Sequence, residues 1–293
     1  MKHIPNFFCI GAQKAGTTLV RNILIRHKDI YLPHDKEAHF FHVNERFQRG
    51  YDWYWNKFFA DYSGQRIVGS VTPEYLFFPE VPERIRSVCG PDVKLVVILR
   101  DPAERAFSQY QMTKLRGLEK LSFLDAIEIE QDRIRRGRIE QNHFSYISRG
   151  MYARQLLRYI DIFPFEDFVF VRFKDLITYT LITINSICVA LGLYGFSELP
   201  LHIDRHRASK PIIPVVHRQI WNPESQLRRW AKQLPVLRSP LRIAAEKLDK
   251  LNRRMSDIRL SNELRLMINR KYFYEDIERT QQLTGLNLRH WLC

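Results

Sequence analysis

Short apolar runs alternate with longer amphipathic segments over the first two thirds of the chain. The apolar runs are Phe7–Ile10, Ile67–Val71, Lys94–Leu99 and Asp167–Arg172. The segments with a helical period include residues 102–115, 122–135 and 150–162. Strands that alternate with helices are typical of a parallel sheet covered by helices on both faces. The pattern therefore predicts a three-layer α/β/α fold with a central parallel sheet.

The character of the sequence changes near residue 200. Residues 201–218 are rich in basic residues and proline, which predicts a long surface loop. Residues 224–254 and 262–283 have the period of helices, although two prolines interrupt the first of these segments. The pattern thus predicts a helical C-terminal part after the α/β region.

A chain of 293 residues can form one large α/β domain, and its apolar content of 45% is that of a globular protein. We predict a single domain over residues 1–293. Within it, residues 1–200 form a nucleotide-binding α/β core, and residues 201–293 form a loop and a helical C-terminal part.

Three features bear on the cellular compartment. No window holds 18 uninterrupted apolar residues, so the sequence predicts no transmembrane helix. A glycine loop follows the first apolar run so early that no signal-peptide core precedes it. The cysteines show no CxxC or Cys/His ligand spacing, and they are Cys9, Cys89, Cys188 and Cys293. We expect reduced thiols and a cytoplasmic location.

The formal net charge of +14 favours an anionic partner without identifying it. The basic residues are densest over residues 226–254. This segment is either a solvated helical face or a contact with a membrane surface or an acidic polymer. In the second case the protein would be peripheral at the membrane surface.

A glycine-bounded loop follows the first apolar run. Gly11 and Gly16 have the spacing of the phosphate-binding pattern G-x-x-x-x-G-K-[ST], and Thr18 fills its hydroxyl position. Thr17 stands where that pattern has lysine, whereas the lysine of this chain, Lys14, lies inside the loop. Backbone N–H groups and a helix start can hold phosphate oxygens in such a loop. An ordinary glycine-rich turn without a ligand is the alternative interpretation.

A second candidate anion site begins at the end of the apolar run 94–99. Arg100 stands where a nucleoside triphosphatase that uses Mg²⁺ would have an acid. This cation and Thr17, in place of lysine, both argue against a nucleoside triphosphatase. Arg100 and Ser108 would form a compact anion pocket. An ion pair between Arg100 and a helix carboxylate is the alternative. Two anion sites on one rim of a sheet suit a nucleotide that is phosphorylated at two places.

These motifs resemble those of sulfotransferases that use 3′-phosphoadenosine 5′-phosphosulfate (PAPS). Residues 11–18, GAQKAGTT, resemble the 5′-phosphosulfate loop, and residues 97–110, VILRDPAERAFSQY, resemble the 3′-phosphate motif. Residues 36–59 resemble the K-E-x-H-F-F and G-x-x-W-Y pattern of carbohydrate sulfotransferases. Weaker likenesses at 72–77 and 150–176 and the closing LTGLNLRHW extend the resemblance nearly end to end. The heparan sulfate type and its bacterial relatives are the nearest group.

The resemblance implies a P-loop-like sulfotransferase fold and a set of residues that bind PAPS. Those that hold the 5′-phosphosulfate are Lys14, Ala15, Gly16, Thr17 and Thr18. Those that hold the 3′-phosphate are Arg100 and Ser108. In this family a basic segment after the sheet closes over the nucleotide, and its residues in this chain would be Arg207, Ser209 and Lys210.

The same resemblance assigns the catalytic roles. Glu37 is the base that accepts the proton of the acceptor. Lys14 stabilises charge on the bridging oxygen of the leaving 3′,5′-bisphosphoadenosine. His39 orients the acceptor or assists proton movement, or else it is a packing histidine beside two phenylalanines. Val71 departs from the family pattern, because related carbohydrate sulfotransferases often have lysine there, and their glycosaminoglycan specificity is therefore not carried over to this chain.

The predicted function is sulfuryl transfer from PAPS to a hydroxyl or amine by in-line displacement. The acceptor would be a carbohydrate or other glycoconjugate such as a glycolipid, or a small metabolite. No metal is required, because the phosphate is already a good leaving group, and no specific nucleic acid is expected as a partner. A P-loop kinase or nucleoside triphosphatase is one rival, and a non-enzymatic basic protein that binds nucleic acid or a membrane surface is the other. The sequence does not indicate an oligomeric state.

Overall fold

A central parallel sheet organises the computed structural model of this chain. The structure describes residues 4–34, 37–200 and 259–293, together with the backbone of 209–211 and 253–255. The strands of the central sheet are β1 Phe7–Gly11, β2 Ile30–Tyr31, β3 Ile67–Val71, β4 Lys94–Leu99 and β5 Phe168–Arg172. Their order across the sheet is β2-β3-β1-β4-β5, and every pair is parallel. The predicted α/β fold with a central parallel sheet is confirmed.

The middle strands are apolar on both faces because both faces are covered. Every residue of β1 and β3 is buried. Phe7 of β1 is in register with Gly69 of β3 and with Lys94 of β4. A Cβ atom on Gly69 would lie 1.9 Å from the carbonyl oxygen of Phe7. The two strands can therefore approach each other only because position 69 has no side chain.

Helices connect the strands and continue to the C-terminus. Those before β5 are α1 Thr17–Leu24, α2 Asn44–Phe47, α3 Gly50–Phe58, α4 Val81–Cys89, α5 Pro102–Leu115, α6 Phe123–Glu128, α7 Glu130–Ile134, α8 Arg138–Phe144 and α9 Tyr152–Ile160. Those after it are α10 Phe173–Thr178, α11 Thr180–Ala190, α12 Asn262–Ile268 and α13 Tyr274–Thr284. A π-helical turn, Asn269–Phe273, joins α12 to α13. Among the described residues, no helix is both long and apolar enough to cross a membrane.

The chain divides into two compact units. The first comprises Met1–Arg105, Arg149–Arg205 and Leu266–Cys293, and it contains the five-stranded sheet. The second comprises Ala106–Ser148 and His206–Arg265. The single-domain prediction, with its boundary at residue 200, stays a prediction.

Some sequence predictions need correction. The pattern did not indicate β2, because two residues are too short to show a period. Ser209–Pro211 (β6) and Arg253–Met255 (β7) form an antiparallel pair, so the predictions of loop and helix are wrong at these positions. Three-residue strands depend on a distant partner rather than on local periodicity. The rest of 201–258, including most of the predicted helix, lies outside the described residues.

The four cysteines are free thiols, as expected from their spacing. Cys9 is the middle residue of β1 and is fully buried. Burial raises the pKa of its thiol to about 12. Cys9 is therefore protonated at neutral pH and serves as part of the core rather than as a nucleophile.

A buried ion pair stabilises the second unit. The Glu119 side chain is fully buried and accepts hydrogen bonds from Arg133 at 2.5 and 3.2 Å. The Tyr146 hydroxyl and the Leu121 N–H also donate to it, at 2.9 and 3.0 Å. Burial alone would raise the pKa of Glu119, but these donors outweigh it and hold the pKa below its ordinary value.

We predict that Glu119→Gln lowers the free energy of unfolding by about 3 kcal/mol at neutral pH, because it leaves Arg133 without its buried counter-charge. Since the native pKa of Glu119 is depressed, the carboxylate contributes stability above the unfolded-state pKa. That contribution is lost as the pH falls through the native pKa. Urea unfolding of wild type and variant across this range should show the difference shrinking with acidity. Glu128→Gln, on an exposed residue of the same unit, is the control, and a pH-independent difference would contradict the prediction.

Candidate active site

The carboxyl ends of the parallel strands bring the predicted functional loops to one rim of the sheet. Loops follow β1 at residue 12, β3 at residue 72 and β4 at residue 100. Because β3, β1 and β4 are neighbours and run in the same direction, these loops are adjacent. Ligands of open α/β sheets bind at this edge, where connections leave to opposite sides.

The phosphate loop has the strand–loop–helix geometry that the sequence predicts. Lys14 and Gly16 have positive φ angles of 69° and 87°, which turn the chain sharply between β1 and α1. The helix begins at Thr17, and Gly16 is its N-cap residue. The first N–H groups of a helix have no partner inside it, and its N-terminus carries partial positive charge. Ala15 and Thr17 are buried, whereas Lys14 and Thr18 are partly exposed.

Arg100 connects the phosphate loop to the segment after β4. Its Nη1 donates to the carbonyl oxygen of Lys14 at 3.1 Å. Its Nε and Nη2 both donate to Oε2 of Glu104 at 3.2 Å, and its guanidinium lies 4.7 Å from the centre of the Phe173 ring. The ion pair with a helix carboxylate is therefore present, and the same arginine also joins the two predicted anion-binding motifs.

The roles of four other predicted binding residues stay predictions. Ser108 lies in α5 within the second unit, and its pairing with Arg100 stays a prediction. Ser209 and Lys210 lie in the backbone pair formed by β6 and β7. Arg207 lies outside the described residues. Contact of these three residues with PAPS stays a prediction.

A C-terminal asparagine forms hydrogen bonds with the Arg-Asp-Pro motif, and no feature of the sequence indicates this contact. Asn269 is fully buried, and its Nδ2 donates to Asp101 Oδ2 and to the Trp291 carbonyl oxygen, each at 2.8 Å. Its Oδ1 accepts the Ala103 N–H at 3.2 Å, at the start of α5. Asn269 and Asp101 are 168 positions apart, so no local pattern signals the contact.

Tyr152 holds the backbone of the same arginine. Its hydroxyl donates to the Arg100 carbonyl oxygen at 2.8 Å. Burial raises the pKa of Tyr152 well above neutral pH, and nearby charges do not reverse that effect. The hydroxyl therefore keeps the proton that this hydrogen bond needs.

The predicted base lies beside the predicted histidine. His39 Nε2 is 3.3 Å from Glu37 Oε2. His39 has a φ angle of 49°, an uncommon backbone conformation that orients its ring differently from the two residues that follow. Phe40 and Phe41 are fully buried, and Phe40 stacks on Tyr54 with ring centres 4.2 Å apart. The aromatic pair thus anchors the loop, and His39, 31% exposed, lies beside Glu37 and packs edge to face on His42 with ring centres 5.0 Å apart.

A second carboxylate, Glu74, belongs to the same cluster. The ligand atoms of Glu37, His39 and Glu74 lie within 4.8 Å of one another. Glu74 Oε1 accepts a hydrogen bond from Gln13 Nε2 of the phosphate loop at 3.1 Å. The weak family likeness at 72–77 included Glu74 but gave no reason to assign it a role. Two carboxylates and an imidazole can also hold a cation, so the absence of a metal requirement stays a prediction.

Tyr54 of α3 and Val71 of β3 belong to the core. Tyr54 is fully buried and packs inside the protein. Val71, at the position where relatives often have lysine, is 2% exposed and completes the buried strand. An apolar side chain fits this environment without the desolvation penalty that a charge would have.

Fold and rim together define an α/β protein with a P-loop-like loop between its first strand and first helix. The family model of the sulfotransferase domain matches residues 5–208, and the chain belongs to the sulfotransferase family. The resemblance noted in the sequence is thereby confirmed.

Several known proteins are similar to this chain. Heparan sulfate glucosamine 3-O-sulfotransferase 5 of Mus musculus is 31% identical over 179 residues, which are 61% of this chain and 50% of that protein. Heparan sulfate glucosamine 3-O-sulfotransferase 3B1 of Homo sapiens is 32% identical over 177 residues, 60% of this chain and 43% of that protein. The matched region thus spans half or less of these curated relatives. The crystal structure of a sulfotransferase from Alicyclobacillus acidocaldarius superposes with a TM-score of 0.72 at 25% identity and covers 99% of both chains. The predicted sulfotransferase fold is confirmed.

We predict that the phosphate loop tolerates no side chain at position 16. Gly16→Ala and Gly64→Ala each place a Cβ at positive φ, 87° and 99°, which costs about 1–2 kcal/mol. At Gly64 nothing lies within 4 Å, whereas at Gly16 the new atom meets Leu176 and Phe173 at 3.0 and 3.1 Å. Gly16→Ala should therefore lose about 1–3 kcal/mol more in urea unfolding. Equal losses in the two variants would contradict crowding at the loop.

Proposed function

We propose that this chain is a PAPS-dependent sulfotransferase that transfers a sulfuryl group to a hydroxyl or amine. The observation that carries the proposal is the hydrogen bond from Arg100 to the Lys14 carbonyl oxygen. It joins the two motifs proposed to hold the 5′-phosphosulfate and the 3′-phosphate on one rim of a sulfotransferase fold. A kinase would need an acid for Mg²⁺ at the end of a strand and a lysine in place of Thr17.

The residues of the rim have properties suited to binding a doubly phosphorylated nucleotide. The turn formed by Lys14, Ala15 and Gly16 leads into the start of α1, where the first N–H groups of the helix can hold phosphate oxygens. Thr17 and Thr18 add hydroxyl groups on its first turn. Arg100 supplies a guanidinium suited to a phosphate. Ser108, and the basic segment at Arg207, Ser209 and Lys210, are proposed to complete the nucleotide site.

The proposed reaction is an in-line displacement at sulfur. Glu37 accepts the proton of the acceptor hydroxyl or amine as the new bond to sulfur forms. The bond from sulfur to the bridging oxygen breaks, and 3′,5′-bisphosphoadenosine leaves with that electron pair. Lys14 stabilises the charge that develops on this oxygen. His39, 3.3 Å from Glu37, orients the base and assists proton movement.

The proposed acceptor class is a carbohydrate or glycoconjugate. The names of the curated relatives state that those proteins sulfate a glucosamine of heparan sulfate. Val71 in place of lysine makes the rim less cationic, so the acceptor of this chain is proposed to differ from theirs. A glycolipid or small metabolite fits the same chemistry. A cytoplasmic location, and contact of residues 226–254 with a membrane surface, are further proposals.

Calorimetry with 3′,5′-bisphosphoadenosine tests the donor site, and radiolabelled PAPS with a panel of polysaccharides, glycolipids and metabolites tests the transfer. We expect bisphosphate binding that does not depend on Mg²⁺. Absence of binding would refute the proposal. ATP binding that needs Mg²⁺ would favour a kinase, and strongly salt-dependent binding to any polyanion would favour a non-enzymatic protein.

We predict that Glu37→Gln lowers the rate of sulfuryl transfer by about 100- to 10,000-fold, the usual contribution of a general base. The amide has the same shape but cannot accept the proton. Bisphosphate affinity, measured by calorimetry, should change less than about threefold, since Glu37 is not a proposed nucleotide contact. A variant with unchanged turnover would show that another group is the base.

We predict opposite effects from the two members of the Arg100–Glu104 pair. Arg100→Ala should weaken bisphosphate binding by about 10- to 150-fold, the equivalent of about 1.5–3 kcal/mol for a charge-assisted hydrogen bond. Glu104→Gln should tighten it by up to about fivefold, because the carboxylate competes with the phosphate for a partly exposed guanidinium. If both variants weaken binding, the ion pair is structural and Arg100 is not the phosphate ligand.

A further inference from the structure

Glu74 lies on the loop after β3, between the phosphate loop and the predicted base. Its Oε1 accepts a hydrogen bond of 3.1 Å from Nε2 of Gln13, the residue that precedes Lys14 in the phosphate loop. Its Oε2 is buried and has no hydrogen-bond partner among the residues that the structure describes. A buried carboxylate oxygen without a hydrogen-bond donor is unfavourable for stability, so a role in the site explains this group better than a contribution to stability does.

The carboxylate is close enough to act on the Glu37–His39 pair through its charge. The three groups offer atoms within 4.8 Å of one another, and Glu37 and His39 are themselves 3.3 Å apart. At separations of this size, charges near a protein surface interact more strongly than they do in water. A second negative charge disfavours the charged form of Glu37 and favours the protonated form of His39. Both effects help the cluster to take up a proton and keep it.

We propose that Glu74 is a positioning residue of the transfer reaction, which orients the Glu37–His39 pair and strengthens it as a proton acceptor. The inference rests on the proposed function. In the transfer step the proton moves from the acceptor to Glu37, while Glu74 forms and breaks no covalent bond. The contact with Gln13 fixes Glu74 relative to the donor loop, so the proton acceptor and the proposed phosphosulfate site are held in one geometry.

Glu74→Gln tests this role, because the amide keeps the shape and the acceptor oxygen for Gln13 but removes the charge. Release of 3′,5′-bisphosphoadenosine from PAPS would be measured with water alone and with the panel of polysaccharides, glycolipids and metabolites, heparan sulfate among them. We expect kcat to fall by about tenfold or more, a smaller effect than loss of the base itself. The KM for PAPS and the bisphosphate affinity should stay within about twofold. Glu74→Asp, which keeps the charge, should recover part of kcat.

A double-mutant cycle separates positioning from a structural role. If Glu74 acts through Glu37, then Glu74→Gln should have little further effect in a Glu37→Gln background. Glu83→Gln, a charge-neutralising change on the exposed face of α4, should leave kcat unchanged and is the matched control.

Each outcome decides one of the two hypotheses. A wild-type protein that releases no bisphosphate from PAPS with water or with any acceptor of the panel would refute the proposed function, and the role of Glu74 with it. An active wild type with an equally active Glu74→Gln variant would overturn the role of Glu74 alone. A variant that loses thermal stability and nucleotide affinity together, without recovery in Glu74→Asp, would also overturn it, because Glu74 would then be a structural contact.

Discussion

The hydrogen bond from Arg100 to the carbonyl oxygen of Lys14 is the contact on which the proposed site depends. It joins the loop after β1 to the segment after β4, two strands that are neighbours in the sheet. The cation itself is held by Glu104 and lies against Phe173. Because a carbonyl and a carboxylate both orient the guanidinium, the arginine is fixed near the rim, and most of the entropy of ordering its side chain is already lost.

The backbone that carries this arginine is supported from the C-terminal end of the chain. The buried side chain of Asn269 donates hydrogen bonds to Asp101 and to the Trp291 carbonyl oxygen, and it accepts one from the Ala103 N–H. The π-helical turn that begins at Asn269 interrupts what would otherwise be a continuous helix. Such turns are often found at functional sites, and here the turn coincides with a buried polar contact to the Arg-Asp-Pro motif. The C-terminal segment thus stabilises the nucleotide half of the proposed site.

The proton-accepting half is built on aromatic packing. Phe40 and Phe41 are buried against Tyr54 and Tyr75, and this packing anchors the loop that carries Glu37 and His39. His39 has a left-handed backbone conformation, and its ring lies between Glu37 and His42. Packing of the core therefore holds Glu37 and His39 in place at the rim. Glu74, which lies beside this pair, is hydrogen-bonded to Gln13 of the phosphate loop.

Local sequence determined the parts of this protein whose physical cause is local. Continuous apolar runs predicted β1, β3, β4 and β5, because strands covered on both faces need no polar positions. Glycine spacing predicted the phosphate loop, since a sharp turn between strand and helix needs positive φ. Family motifs supplied Glu37, Arg100 and their expected roles. Only the tertiary structure decided three contacts. Asn269 donates a hydrogen bond to Asp101, Glu104 forms an ion pair with Arg100, and Glu74 lies in one cluster with Glu37 and His39. These contacts link residues from different strand ends or from the far end of the chain, and hydrogen bonds and charges across such distances leave no period in the sequence.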